Sequence, residues 1–279
     1  MKQFKDVSYD FSGRTALVTG AGRGQGMAHA LSFAMAGADV AIVDVDADIE
    51  TVPYGLSDSA RLDAVAEAVE KEGVKCSKQI CDVRDPDQVK AMVAAVEADL
   101  GKIDILANNA GVESVYAATE MPTAAWDDML NTNLRGAFLC AQAVLPGMVE
   151  RQYGKIVNTA STAATVAIPS NAHYVASKHG VLGLTKALAV EYAPHRINVN
   201  AVCPGSIDTP MNEGLVANCE EWIMGLGDLA GPWNLFPHTD EEAMMAPEEV
   251  SQAVLWLCSD ASTFVTGASI AVDAGFTVK

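Results

Sequence analysis

Apolar positions along the chain alternate between two patterns. Short segments rich in apolar residues fall at 15–19, 39–43, 103–107, 155–159, 196–202 and 268–272, with a more polar one at 77–82. Runs of this kind predict strands, and a run apolar throughout suits a strand covered on both faces. Between them, apolar residues recur three and four apart over 25–36, 58–72, 86–100, 174–192 and 247–257. In the second of these, Leu62, Val65, Ala66 and Val69 share one helical face. A longer helical stretch, 124–150, is expected to break near Pro146. Strict alternation of strand and helix predicts an α/β fold. The expectation is a single-domain, Rossmann-type doubly wound parallel sheet with helices on both faces, built by right-handed crossovers. No boundary, repeat or low-complexity segment divides residues 1–279.

Two segments break the alternation. Residues 47–57, ADIETVPYGLS, are long for a strand-to-helix connection and read as an insertion. Residues 211–246 read as a substrate lid, with Met211, Leu215, Trp222, Met224, Leu226, Leu229, Trp233, Leu235 and Phe236 as its apolar surface. Both follow strand ends, where sheets of this kind carry their sites.

Charge and cysteine content narrow the function classes. Lys and Arg total 18 against 36 Asp and Glu, a net charge of −18 that repels nucleic acid and anionic lipid. No apolar run nears the roughly 18 residues of a membrane helix. The first residues, MKQFKDVSYDF, lack the apolar centre of a signal peptide. The six cysteines show neither CxxC nor zinc spacing. The expectation is a cytoplasmic protein with reduced thiols, no disulfide framework and no metal.

The chemistry begins at TGAGRGQG, residues 19–26, which follows the first predicted strand and opens the first helix. Glycines spaced Gly20-x-x-x-Gly24-x-Gly26 let a pyrophosphate approach the backbone at a helix N-terminus, where free N–H groups favour anions. Asp44, ending the second predicted strand, is placed to accept the adenosine ribose hydroxyls. Asp46, Asp48 and Glu50 follow it with no basic residue before Arg61, so a 2′-phosphate is disfavoured and NAD is expected over NADP. Arg23 points weakly the other way. Further on, Tyr174 and Lys178 form a YxxxK pair on one helical face. A phenol with a free pKa of about 10 is a poor base, and an adjacent ammonium lowers that value. The pair suits proton transfer to or from an alcohol oxygen, with Ser161, just past a strand end, holding the substrate oxygen beside it.

These motifs together resemble the classical short-chain dehydrogenase/reductases over nearly the whole chain. Thr19 to Gly26 matches their TGxxxGxG, Asp82-Val83 their adenine-facing pair, and Asn108-Asn109-Ala110-Gly111 their NNAG. Pro204-Gly205 matches their PG turn, and Thr209-Pro210 the threonine that meets the nicotinamide carboxamide. The resemblance implies a catalytic tetrad of Asn133, Ser161, Tyr174 and Lys178. In it Tyr174 is the acid/base, Lys178 lowers its pKa and holds the nicotinamide ribose, Ser161 orients the substrate, and Asn133 anchors a water of the proton relay. Gly20, Arg23, Gly24, Gln25, Gly26, Asp44, Asp82, Val83, Asn109, Ala110, Gly111, Tyr174, Lys178, Pro204, Gly205, Ile207 and Thr209 are the expected cofactor contacts. Ala160 stands where many relatives have a second serine.

GAGRGQG, with Gln25 in place of the usual Ile, and the insertion after Asp44 look like the carveol-dehydrogenase-like subgroup, called mycofactocin-coupled. Many of its members hold NAD tightly and recycle it in place through a redox peptide. With no cationic cluster to hold a phosphate or carboxylate, the expected substrate is an apolar cyclic secondary alcohol or its ketone, a carveol-like monoterpenoid before a hydroxysteroid or bile acid. A non-catalytic dinucleotide sensor is the reading from another class, and an intact tetrad argues against it. His173 and His238 are candidate substrate contacts, with plain surface positions the simpler expectation. The C-terminus resembles the strand and tail through which relatives form tetramers. A homotetramer using the helices around Asn133 and Tyr174 is therefore expected.

Overall fold

Seven strands pair in parallel in the order β3-β2-β1-β4-β5-β6-β7. They are β1 (Thr15–Thr19), β2 (Asp39–Asp44), β3 (Cys76–Ile80), β4 (Ile105–Asn108), β5 (Gly154–Thr159), β6 (Ile197–Pro204) and β7 (Ser269–Val272). This is a computed structural model, and it describes residues 7–219 and 244–278. Successive residues of a strand face opposite ways. Ala16 and Val18 therefore join Phe33, Ile42 and Leu257 on one side, while Leu17 joins Val43, Met148 and Ile156 on the other.

Eight described helices accompany the sheet. They are α1 (Gly24–Met35), α2 (Ser59–Lys71), α3 (Pro86–Leu100), α4 (Thr123–Leu130), α5 (Gly136–Arg151), α6 (Ala172–Tyr192), α7 (Pro210–Asn218) and α8 (Pro247–Cys258). Local chemistry sets several of their ends. Asp58 accepts the Arg61 N–H at 2.7 Å to start α2, and Asp85 accepts the Asp87 N–H at 2.9 Å before Pro86 starts α3. The break expected near Pro146 lies elsewhere. Pro146 sits inside α5, and the irregularity is a π turn, Asn131–Arg135, joining α4 to α5. The packing of Leu139, Cys140, Val144, Leu145 and Met148 holds α5 to the sheet, which outweighs one missing backbone bond.

The order in which strands are added reverses between β1 and β4, and ligands of such sheets sit at the carboxyl ends there. Thr19, Asp44, Asn108, Thr159 and Pro204 end the five central strands and all lie at that edge. The segment 47–57 folds back over it. Its Ile49 and Val52 are buried against Val112, Met129, Ala163 and Tyr174. Thr51 Oγ1 donates to Asp128 Oδ2 at 2.8 Å. Asp48 and Asp46 accept the N–H groups of Leu56 and Ser59 at 2.7 and 2.9 Å. Of the segment read as a lid, α7 is seen, with Leu215 buried. Trp222, Met224, Leu226, Leu229, Trp233, Leu235, Phe236 and His238 lie outside the described residues.

Candidate active site

The strand ends open into a cleft of about 440 Å³. Gly20, Arg23, Gly24, Gln25, Asp44, Asp82, Val83, Asn109, Ala110, Gly111, Pro204, Gly205, Ile207 and Thr209 line it, with Ser161, Tyr174 and Lys178. Gly26 does not. A Cβ there would overlap the Gly20 carbonyl, so its role is to let α1 pack directly on the loop. Gly20 and Gly24 adopt φ of +66° and +53°, a region that favours glycine. A Cβ at Gly22 would overlap Ser57 Oγ of the insertion. The loop is thus bare backbone at the start of α1, whose first turn holds no acid. That surface fits a pyrophosphate.

Asp44 fits the ribose. Its Oδ2 accepts the Gly22 N–H at 2.8 Å and its Oδ1 the Val45 N–H at 2.8 Å, leaving lone pairs toward the cleft. Burial raises its pKa, and the bonds from Gly22 and Val45 and the Arg23 charge oppose that. Arg23 is turned to another task. Its Nη1 donates to Gly55 O at 2.6 Å and its guanidinium stands 5.6 Å from the Tyr54 ring, so it clasps the insertion. The Asp82 carboxylate is gripped by Arg84, whose Nη1 also donates to Asp128 at 2.8 Å. Asn109 donates to the carbonyls of Thr19 and Gly20, fixing the end of β4 against the glycine loop. Among the described residues no group of three or more His, Cys, Asp or Glu could hold a metal.

The reactive groups stand at the other end of the cleft. Lys178 lies one turn after Tyr174 on α6, with Nζ 5.5 Å from the phenol ring and donating to Thr159 O at 2.9 Å. Burial lowers the Lys178 pKa to about 8, against the pull of Glu113. The expected fall in the Tyr174 pKa is not found. Burial raises it well above 10, Glu113 adds to the rise, and the Ser161 hydroxyl opposes it. Burial outweighs the Lys178 ammonium, which stands 5.5 Å from the ring and also donates to Thr159 O. Ser161 is fixed by accepting the Ala163 N–H at 3.1 Å. Asn133 is buried behind the cleft rather than in its wall. Its Oδ1 accepts the Val112 N–H at 2.8 Å and its Nδ2 donates to Val112 O at 2.9 Å, which anchors the strand end carrying Gly111. Asn133 sits in the π turn, where one backbone carbonyl loses its usual α-helical partner.

His173 is corrected. It is fully buried, not on the surface, and its Nε2 is 3.0 Å from Ser114 Oγ with Tyr116 packed edge-on. Burial lowers its pKa. It does not line the cleft. Glu113 and Tyr54 were missed. Glu113 directly follows the NNAG-Val stretch and lines the cleft, with its carboxyl held by the Asn171 amide at 2.9 Å and its backbone N–H donated to Tyr54 Oη at 2.9 Å. The signal that could have found Glu113 is an acid in an apolar run just past a strand end.

Comparison with known proteins agrees with this architecture. Residues 20–277 match the family model described as enoyl-(acyl carrier protein) reductase. The chain is 38% identical over 278 residues to the (−)-trans-carveol dehydrogenase of Rhodococcus erythropolis, covering 96% of this chain and 98% of that one. It is also 38% identical over 273 residues to the gluconate 5-dehydrogenase of Gluconobacter oxydans, covering 97% of each. The crystal structure of carveol dehydrogenase from Mycobacterium avium in complex with NAD superposes with a TM-score of 0.89 at 33% identity, covering 98% of this chain and 100% of that one.

Proposed function

Because the chain belongs to the classical short-chain dehydrogenase/reductase family, we propose that it interconverts an apolar cyclic secondary alcohol and its ketone, a carveol-like monoterpenoid, with NAD as cofactor. The observation that carries the reading is convergence. Ser161, Tyr174 and Lys178 meet in one cleft with the glycine loop and Asp44, and Ile49, Val112, Ile168, Met211 and Leu215 wall the same cleft. Gly20, Gly24 and Asp44 would hold the adenosine and pyrophosphate, and Lys178, Ile207 and Thr209 would meet the nicotinamide half. NAD bound there supplies the hydride acceptor and a positive charge near the phenol.

In alcohol oxidation, Tyr174 first gives its own proton to the water held by Asn133, and as the phenolate its Oη then takes the proton of the hydroxyl that Ser161 Oγ holds. Lys178 supplies the positive charge that the deprotonated phenol needs. In ketone reduction, Tyr174, kept protonated by burial, gives the proton back. Asn133 fixes the Gly111–Val112 backbone and anchors the water through which the proton leaves.

The insertion supports slow cofactor release, because Arg23, Asp128 and the Glu113 backbone tie it across the cleft. On this reading the protein is a cytoplasmic homotetramer whose retained NAD is reoxidised in place by a redox peptide. No described helix is long and apolar enough to cross a membrane.

The test is a single-turnover assay on purified protein without added cofactor, with carveol and a bile acid in separate samples. A rise in reduced-nicotinamide absorbance with carveol, indifferent to free NAD, is expected. A response that appears only when NAD is added refutes retention, and a response to the bile acid alone refutes the terpenoid assignment.

A further inference from the structure

Beside the reacting groups the cleft holds one carboxyl among mainly apolar neighbours. Glu113 is 9% exposed and lines the cleft, in the company of Ile49, Leu56, Val112 and Ile168. The two side-chain carboxylates of the cofactor half have other tasks: Asp44, held by Gly22 and Val45, faces the ribose position, and Asp82 is paired with Arg84. Glu113 Oε1 accepts the Asn171 amide at 2.9 Å, and Asn171 is itself fully buried. Oε2 has no partner among the described residues. The backbone is fixed as well, by the Tyr54 hydroxyl from the insertion. A carboxyl held in this way through Oε1, with Oε2 unbonded among the described residues and facing the cleft, presents a fixed polar atom that a bound molecule can complete.

We propose that Glu113 Oε2 is the second polar anchor of the substrate site, bonding a hydroxyl other than the one held by Ser161 and Tyr174. The inference rests on the alcohol-dehydrogenase reading above and sharpens its substrate class. The preferred ring keeps the apolar cyclic body of a carveol-like alcohol but carries a second hydroxyl, as a diol or a hydroxyketone, so carveol itself is turned over as the poorer substrate. Burial pushes the Glu113 pKa up to about 7, against the Lys178 ammonium and the Asn171 amide, so both its forms are present near neutrality. The carboxylate accepts from a hydroxyl and the carboxylic acid donates to one, so the anchor serves either way. A site built around a hydroxyl discriminates strongly against the analogue that lacks it, because its own polar group is then left unpaired.

The experiment compares kcat/KM for cyclohexanol and for the 1,3- and 1,4-cyclohexanediols in the wild type, Glu113→Leu and Glu113→Gln. The wild type is expected to prefer at least one diol by about tenfold or more. Glu113→Leu should erase that preference mainly through KM. Glu113→Gln, which keeps an oxygen for Asn171 and an amide for the substrate, should retain part of it. A wild type without diol preference, or a preference that survives Glu113→Leu, overturns the inference alone. A merely structural Glu113 would lower activity on the mono-ol and the diols by the same factor, which also overturns it. A wild type that oxidises none of these alcohols overturns the dehydrogenase reading, and this inference falls with it.

Discussion

Tyr174 is buried deeply enough that its phenol stays protonated through neutral pH until positive charge is brought close. The phenol oxygen is therefore the group on which turnover depends, and the ring contributes only packing. Tyr174→Phe should lower kcat by roughly a thousandfold or more while leaving the melting temperature within a few degrees, since general acid–base catalysis resides in the removed atom. Steady-state kinetics beside a thermal melt decides it, and a variant that keeps most of its activity refutes the mechanism. Glu113 makes a second prediction at this scale. Its native pKa of about 7 lies above the 4.5 of the free side chain. Between those values the native state keeps a proton that the unfolded chain has lost, so stability falls as pH rises through that window, by about 3 kcal/mol in all. Glu113→Gln should therefore melt higher than the wild type at pH 8, with the gain shrinking by pH 5. An equal difference at both pH values would show that the carboxyl carries no such burden.

At the scale of elements, the glycine loop and the insertion act as one unit. Gly22 is in contact with Ser57, Arg23 with Gly55 and Tyr54, and Gly214 of α7 with Tyr54. Gly22→Ala should push the insertion off the loop and weaken NAD binding by about tenfold or more, a loss of some 1.4 kcal/mol, with little loss of helix content. NAD titration with circular dichroism measures both, and unchanged affinity would mean that the insertion does not cover the cofactor. The glycine spacing, the strand-end position of Asp44 and the YxxxK pair were legible because each is local in sequence. The π turn was not. Residues 131–135, NTNLR, carry no proline or glycine, and their backbone geometry follows from how α4 and α5 pack on different neighbours. Pro146 misled for the converse reason: a helix interior tolerates a proline when its packed face holds it in place.

For the whole molecule, the described surface leaves large apolar groups in water on the helices around the site. Trp126 on α4 is 41% exposed, Phe138 on α5 40% and Val190 on α6 79%. Phe264, near the C-terminal strand, is fully exposed. Helices α4 to α6 are the ones the tetramer reading places between copies, and light scattering at micromolar protein should give the mass of four chains. A single-chain mass would refute the tetramer. By itself the sequence determined the α/β class, the parallel sheet and most of the residues that line the cleft, because strand and helix periodicities and short motifs are set by neighbours along the chain. Only the tertiary structure decided what those residues are free to do. It turned Arg23 from a candidate phosphate ligand into a clasp for the insertion, buried His173, placed Asn133 behind the cleft and left Glu113 in the cleft wall with Oε2 unbonded among the described residues. Burial, pKa and hydrogen-bond partners depend on segments far apart in sequence that meet only when the sheet is assembled.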